Sequence, residues 1–215
     1  MDKLIRQWYD CQAETWCKNY SYFDKHFVRR LANVHLLVDD LSNTSKILDI
    51  GCGSGEVAFA LSERFNCYTV GVDISNGMIS RCISGNVQKN SYFAIADTIS
   101  LPFYEEAFDL VFSLSVIEWI EEYQTVISEV ARVLKSGGQW ILSLPNWNSP
   151  FRKIEYAVGR FSHRSYLKYQ KNRLKIREFK LIAEKHSLKE TKSIFHVMPF
   201  LSSNLPGRIL VRYLA

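Results

Sequence analysis

Several features typical of metal sites and membrane proteins are missing from this sequence. Its five cysteines form no Cys-x-x-Cys pair of the kind that holds a metal ion, and their odd number argues against structural disulfides; they stand at positions 11, 17, 52, 67 and 82. No apolar run approaches the roughly 20 residues that cross a bilayer, and no basic-then-apolar leader opens the chain. We therefore expect reduced thiols, no transmembrane segment and a cytoplasmic location.

Charge is unevenly distributed along the chain. The 215 residues, 47% of them hydrophobic, are enough for one domain with a sizeable core. Residues 152–192 hold 13 Lys or Arg and 4 Asp or Glu, whereas residues 1–151 hold 12 basic and 18 acidic residues. A basic region attached to a mildly acidic core indicates either an anionic partner or a solvated surface.

A glycine turn organises the first half of the chain. The apolar segment Lys46–Ile50 leads into Gly51, Gly53 and Gly55, and helical periodicity follows from Glu56. This order predicts a strand, a tight turn and a helix, which is how open α/β sheets hold nucleotides at the carboxyl end of a strand. The spacing is G-x-G-x-G rather than the dinucleotide G-x-G-x-x-G, which argues against a nicotinamide dehydrogenase.

Two more predicted strands each end in an acid. The segment Tyr68–Asp73 places Asp73 18 residues after Gly55, a suitable spacing for a carboxylate that accepts hydrogen bonds from both ribose hydroxyls. The segment Tyr92–Asp97 is the third strand, and its terminal acid also argues against a dehydrogenase.

Taken in order, these motifs resemble those of class I S-adenosylmethionine-dependent methyltransferases, in particular the small type 11 group. The likeness runs from Ile47 to Asn146 through Leu-Asp-Ile-Gly-Cys-Gly-Ser-Gly, Val-Asp-Ile-Ser, Asp97 before Leu-Pro-Phe, Phe-Asp-Leu-Val-Phe-Ser and Ala-Arg-Val-Leu-Lys-Ser-Gly-Gly. It implies an α/β Rossmann-like fold, with a mostly parallel central sheet flanked by helices. It also implies a single domain with an N-terminal helical cap (1–42), a cofactor-binding core (43–146), a basic aromatic insertion after strand 5 (147–173) and a C-terminal part (174–215).

The resemblance further implies that S-adenosylmethionine is the cofactor, that S-adenosylhomocysteine is the product, and that no metal is needed. The residues expected to bind the cofactor are Asp49, Gly51, Cys52, Gly53, Gly55, Asp73, Ile74, Met78, Asp97, Thr98 and Ser113. Asp49 would orient the methionine end, Asp73 the ribose, and Asp97 with the Thr98 amide the adenine. Three alternatives stay open, because Asp49 and Asp97 could be turn-stabilising acids and Met78 a core residue.

The segment after the fourth predicted strand, Phe108–Phe112, leaves catalysis undetermined. Many relatives have a histidine after the glutamate here, but this chain has Glu118 followed by Trp119. The change removes the simplest general base. Glu118 is a weak candidate, with a capping role as its alternative, and the other candidates are His26, His163 and His196.

Helical periodicity before the sheet and near the chain's middle predicts the flanking helices. Residues 1–40 indicate two helices, and Tyr9-Asp10-x-x-Ala13-x-x-Trp16 is similar to the Tyr-Asp…Ala-x-x-Tyr opening of the resembled family. A helix over 121–135 is expected to end at Gly137-Gly138, with the fifth strand over Gln139–Leu144.

The C-terminal part is harder to assign. After the insertion, the pattern predicts a helix over Leu174–His186 and a sixth strand over Leu188–Ile194. Beyond Pro199 only an apolar and basic tail is visible, so the seventh strand is either unrecognised or missing.

The expected reaction is methyl transfer to an oxygen or nitrogen nucleophile of a small acceptor. Aromatic content fits a phenolic or lipid-like acceptor, and the basic region fits an anionic sugar or glycolipid. The alternatives are RNA methylation through residues 152–192 and a non-catalytic protein that binds S-adenosylmethionine and regulates a partner. DNA is not expected as a partner, whereas peripheral membrane contact and the oligomeric state stay open.

Overall fold

The computed structural model describes residues 3–19, 25–38, 41–85, 90–150, 153–154, 156–157, 169–197 and 206–215. Its helices are α1 (Lys3–Asn19), α2 (Lys25–His35), α3 (Glu56–Phe65), α4 (Asn76–Gly85), α5 (Tyr123–Val133) and α6 (Ile176–Lys185), with a 3-10 turn at Ile117–Trp119. Its strands are β1 (Lys46–Ile50), β2 (Tyr68–Asp73), β3 (Ser91–Ile95), β4 (Phe108–Leu114), β5 (Leu134–Pro145), β6 (Lys189–Val197) and β7 (Pro206–Leu214).

The strands form one seven-stranded sheet in the order β3-β2-β1-β4-β5-β7-β6. Strands β1 to β5 pair in parallel, and β7 lies antiparallel to both β5 and β6. The strand order reverses between β1 and β4, which is where open α/β sheets bind ligands. The Rossmann-like sheet predicted from the sequence is confirmed.

The central strands are buried on both faces, which explains their continuous apolar sequence. Alternate side chains of β1 face opposite sides of the sheet, so Leu48 and Ile50 join one apolar cluster and Ile47 joins the other. Strand β4 divides in the same way, with Val111 in the first cluster and Phe112 in the second. The two cores hold the carboxyl ends of β1 and β4 side by side.

The seventh strand is present and had gone unrecognised in the sequence. It spans Pro206–Leu214 and is inserted between β5 and β6. Tyr213 is fully buried, with its ring 6.0 Å from the rings of both Trp140 and Phe179. Strand β7 is therefore defined by its pairing with β5 and β6, which the pattern along the sequence does not show.

The predicted glycine cap of the fifth helix is wrong. Helix α5 ends at Val133, and Leu134 is already extended and paired with Phe108 in the sheet. Gly137, at φ 77°, lies where the register shifts between β4 and β5, so the two glycines form a bulge in a strand. Within this bulge, the Lys135 ammonium donates to both oxygens of Asp109 on β4, at 2.8 and 2.9 Å.

The two N-terminal helices are confirmed. After α2, the Leu36 carbonyl accepts a hydrogen bond from Lys192 Nζ (2.7 Å) and the Leu37 carbonyl one from Arg212 (3.1 Å). These contacts fasten the segment to the antiparallel edge formed by β6 and β7. Within the described ranges, no helix is long and apolar enough to cross a membrane.

An ion pair on α5 holds the connection between β3 and β4. The Arg132 guanidinium donates to both Glu129 oxygens at 2.8 Å, and also to the carbonyls of Phe103 (2.7 Å) and Leu101 (3.1 Å). The amide of Leu101 in turn donates to Glu129 at 2.8 Å. The hydrogen bond from Arg132 lowers the pKa of Glu129, although partial burial opposes the shift.

We expect Arg132→Gln to lower the free energy of unfolding by about 1–2 kcal/mol, because several charge-assisted hydrogen bonds are lost at a partly exposed site. Urea unfolding measures the loss, with exposed Arg177→Gln on α6 as the control. Since Glu129 has a lowered pKa when folded, this stability is present above its unfolded pKa of about 4.3 and disappears as the pH falls through the folded value. If the difference in unfolding free energy between wild type and Arg132→Gln does not become smaller in acid, the ion-pair assignment is contradicted.

We expect Tyr213→Phe to raise the free energy of unfolding by about 1 kcal/mol, because the buried hydroxyl has no hydrogen-bond partner among the described residues. Burial also raises the pKa of this phenol. Tyr104→Phe, at a side chain that is 90% exposed, is the control and should be neutral. A loss of stability in Tyr213→Phe would mean that the hydroxyl has a partner.

Candidate cofactor-binding site

Acids gather at the carboxyl edge of the first three strands. Asp49 lies next to the end of β1, Asp73 ends β2, and Asp97 follows β3 by two residues. These strands are parallel neighbours, so their carboxyl ends share one edge of the sheet. The structure thus brings together three acids that the sequence separates, and their charge suits a cationic ligand.

The glycine turn presents backbone to this edge. The amides of Gly51 and Cys52 both donate to the Val72 carbonyl, at 2.7 and 3.1 Å, which fixes the turn to β2. A Cβ on Gly51 would overlap Val116, so no larger residue fits there. Gly53 has φ 57°, and among the described residues only Trp16 Nε1 lies within 4 Å of a Cβ built there. A ligand can therefore lie directly against the main chain at Gly53.

Asp73 is positioned by two backbone amides. Its Oδ2 accepts a hydrogen bond from Gly53 N (3.0 Å), and its Oδ1 accepts one from Ser75 N (2.9 Å). Desolvation raises the pKa of Asp73, and these amide hydrogen bonds partly offset the increase. Each carboxylate oxygen has capacity for a further hydrogen bond, so a diol could bind across the pair.

The start of α3 places the amino end of a helix at the site. Its N-cap, Gly55, has φ 86° and supplies no side-chain cap. The Ser54 hydroxyl instead donates to the Glu56 carboxylate at 2.6 Å. The first amides of a helix attract anions, so this end of α3 suits the carboxylate of an amino acid.

The adenine-side candidates lie after β3. Asp97 is partly exposed, and its Oδ1 accepts a hydrogen bond from Ile99 N at 3.3 Å. Thr98 is 2% exposed, and its hydroxyl has no partner among the residues that the structure describes. A buried hydroxyl in this state fits a polar ligand that completes its hydrogen bonding.

Cys52 contributes backbone rather than a reactive thiol. A hydrogen bond with Cys82 and burial both raise the pKa of the Cys52 thiol. The Cys82 thiol also contacts the Gly53 carbonyl, with a sulfur–oxygen distance of 3.1 Å. Since the thiolate is the reactive form, neither contact supports nucleophilic chemistry here.

Other predicted contacts differ in accessibility. Ile74 is partly exposed, whereas Met78 is 1% exposed, which favours its core alternative. The Ser113 hydroxyl is buried and accepts a hydrogen bond from Trp140 Nε1 at 2.9 Å. A cofactor contact at Ser113 would therefore come from its backbone.

The candidate catalytic residues are placed only in part. Glu118 is 1% exposed, on the 3-10 turn at the carboxyl end of β4, and Trp119 Nε1 donates to the Ser115 carbonyl at 2.7 Å. The side chains of His26, His163 and His196 lie outside the described residues. Among the described residues, no group of three or more His, Cys, Asp or Glu could hold a metal ion.

Helix α1 covers the glycine turn, and sequence reasoning gave its Asp10 no role. Asp10 Oδ1 accepts hydrogen bonds from Ser75 Oγ (2.6 Å) and Gly77 N (3.0 Å), which ties α1 to the start of α4. Desolvation opposes ionisation of Asp10, but these hydrogen bonds lower its pKa overall. The only sequence signal was the Tyr-Asp opening of the resembled family.

Aromatic side chains extend this cover along α1. The Tyr9 ring lies 5.7 Å from Trp16, near Gly53, and 4.9 Å from Trp8. Trp8 continues the series to Tyr169, whose ring is 6.2 Å away. The series connects the turn after β1 with Tyr169, near the end of the insertion.

We expect Asp10→Ala to loosen α1, because the start of α4 loses its anionic acceptor. Backbone hydrogen exchange in α1 should become faster, and affinity for S-adenosylhomocysteine should fall. The difference in exchange rate between Asp10→Ala and wild type should become smaller in acid. The reason is that Asp10 stabilises the fold only above its lowered folded pKa. Glu14→Ala, at an exposed position on the same helix, is the control. Equal exchange rates of α1 in the two variants would contradict the role of Asp10 in holding α1 to α4.

Comparison with known proteins agrees with this geometry. The type 11 methyltransferase domain family matches residues 48–142. Sterol 24-C-methyltransferase of Schizosaccharomyces pombe is 32% identical over 108 residues, which cover 46% of this chain and 29% of that protein. Phosphoethanolamine N-methyltransferase 1 of Triticum aestivum is 29% identical over 106 residues, which cover 48% of this chain and 21% of that protein. The chain thus spans less than a third of these curated relatives.

A solved structure extends the likeness to nearly the whole chain. It is a methyltransferase in complex with the Haloferax volcanii Trm112 methyltransferase activator, and it superposes with a TM-score of 0.79 at 17% identity. The match covers 96% of this chain and 97% of that one. Residues 48–142 therefore match the methyltransferase domain family, and the solved structure shares its fold with nearly the whole chain.

Proposed function

We propose that the chain transfers a methyl group from S-adenosylmethionine to an oxygen or nitrogen nucleophile of a small acceptor. The observation that carries the proposal is the joint position of Gly53 and Asp73, which share a 3.0 Å hydrogen bond at the strand-order reversal. The backbone at Gly53 and the unpartnered hydroxyl of Thr98 fit an adenosine-containing ligand.

When bound, S-adenosylmethionine supplies an electrophilic methyl group on a sulfonium. Asp73 would accept the ribose hydroxyls, and the first amides of α3 would face the methionine carboxylate. Asp49, 3% exposed, would lie beside the cationic end. Helix α1 and its aromatic residues would exclude water, so the chain's contribution is chiefly alignment and desolvation.

Glu118 stays the weak candidate for a catalytic base. It lies on the 3-10 turn that follows β4, and its burial also suits a structural role. An oxygen acceptor needs a base to remove its proton, whereas an amine can lose its proton after the transfer. Loss of transfer to hydroxyl but not to amine acceptors in Glu118→Gln would identify it as the base.

The acceptor is proposed to be phenolic, lipid-like or an anionic sugar or glycolipid. Trp8, Tyr169 and Trp147 provide aromatic surface at or near the carboxyl edge. The basic region 152–192 supports an anionic acceptor. The relatives are named for a carbon and a nitrogen methylation, so membership of the family does not fix the acceptor atom.

RNA is the second candidate acceptor, on the basis of the 13 basic residues within 152–192. Binding would then weaken steeply with salt, because phosphate contacts release counterions. A third candidate, a non-catalytic cofactor-binding protein, rests on Trp119 replacing the histidine of relatives.

Calorimetric titration with S-adenosylmethionine, S-adenosylhomocysteine and NADH tests the proposal. We expect both adenosyl ligands to bind and NADH not to bind. Methyl transfer to anionic glycans, phenols and bulk tRNA then separates the acceptor classes. Binding of NADH alone would overturn the proposal.

We expect Asp73→Asn to weaken S-adenosylhomocysteine binding about tenfold or more, because a charged acceptor is lost. In wild type the affinity should fall as the pH drops through the pKa of Asp73, since the protonated carboxyl accepts fewer hydrogen bonds. That pKa is raised, so the fall should begin above the ordinary value of about 3.9. Exposed Glu63→Gln on α3 is the control. Equal affinity in the two variants would refute the ribose assignment.

A further inference from the structure

A stacked cation lies outside the cofactor-binding residues. The Arg173 guanidinium carbon is 4.3 Å from the centre of the Tyr156 ring and 5.8 Å from that of Trp147. The two rings are themselves 5.3 Å apart at 76°, an edge-to-face arrangement. We call these three residues the Arg173 cluster. Arg173 is exposed, so solvent or a ligand can reach it.

The backbone on both sides of Arg173 is fixed. The Asn172 amide group donates to the carbonyls of Ile117 (2.8 Å) and Ile120 (2.6 Å), in the turn that follows β4. On the other side, Leu174 is 4% exposed and packs in the larger apolar core. The position of Arg173 therefore depends on the sheet and not on a free loop.

These contacts place the cluster at the carboxyl edge of the sheet. Trp147 comes two residues after the end of β5, and Asn172 binds the turn after β4. The glycine turn and Asp73 occupy the same edge, on the other side of the β1–β4 reversal. The Arg173 cluster thus lies on the half of the edge that the cofactor candidates in β1 to β3 leave open.

Stacking leaves the binding groups of the guanidinium available. A ring contacts the face of the guanidinium plane, whereas its N–H donors point outward within that plane and suit the two oxygens of a carboxylate or phosphate. Among the described residues, no carboxylate forms an ion pair with Arg173. A stacked and fixed guanidinium also loses little freedom on binding.

We propose that the Arg173 cluster binds the anionic group of the methyl acceptor, a phosphate or carboxylate carried on an aromatic or apolar body. That the bound molecule is the methyl acceptor rests on the proposed function. Anion binding by the cluster does not depend on that function. The paired rings would contact the body of the molecule, and Arg173 would hold its charge. The acceptor would then enter from the β4–β5 half, facing the cofactor across the reversal.

Phenyl phosphate is the probe, because it combines one ring with one phosphate. It is titrated calorimetrically into wild type, Arg173→Gln and the exposed control Arg177→Gln, each with and without saturating S-adenosylhomocysteine. Phenol, which lacks the anion, is the matched ligand. Circular dichroism and affinity for S-adenosylhomocysteine show that each variant is folded.

We expect phenyl phosphate to bind wild type and Arg177→Gln alike, and Arg173→Gln about tenfold or more weakly, the scale of charge-assisted hydrogen bonds. Arg173→Lys should be intermediate, since it keeps charge but loses the planar fork. Affinity for S-adenosylhomocysteine should stay equal in all variants.

The two proposals fail in distinguishable ways. Equal binding of phenyl phosphate to Arg173→Gln and wild type, or no binding to wild type at millimolar concentration, would overturn the anion subsite. Equal binding of phenol and phenyl phosphate would overturn it as well. Failure of S-adenosylhomocysteine to bind would instead overturn the proposed function, while the arm without it still tests the cluster.

Discussion

Asp73 joins the three parts of the candidate site through its two carboxylate oxygens. One oxygen holds the glycine turn through Gly53 N, and the other holds the start of α4 through Ser75 N. Ser75 in turn donates to Asp10, which attaches α1 above the turn. The glycine turn, α4 and α1 are therefore linked through Asp73. Burial raises the pKa of this carboxyl.

The reversal of strand order separates the acids of β1 to β3 from the Arg173 cluster. Acids follow β1, β2 and β3, where a sulfonium and an ammonium would be stabilised. The segments after β4 and β5 bring Arg173 to the other half, within the basic region 152–192. If both proposals hold, the cationic donor would bind on one side of the reversal and the anionic group of the acceptor on the other.

The sequence predicted β1, β2 and the glycine turn correctly because their signals are local. Glycine spacing, strand-terminal acids and apolar runs each depend on a few neighbouring residues, and β1 and β2 have the predicted bounds. The sequence failed where partners are distant. Strand β7 is stabilised by pairing with β5 and β6, and Gly137 lies in a bulge of β5 opposite β4. Neither could be assigned from the residues next to it in the sequence.

The fold class, the glycine turn and the acids expected to hold an adenosyl ligand can be read from the sequence alone, because backbone conformation and strand burial select those residue types directly. Three contacts become visible only in the folded chain: the hydrogen bond from Ser75 to Asp10, the one from Trp140 to Ser113, and the stacking of Arg173 on Tyr156. Those contacts join residues far apart in the chain, and linear spacing carries no information about which distant side chains the packed sheet brings together.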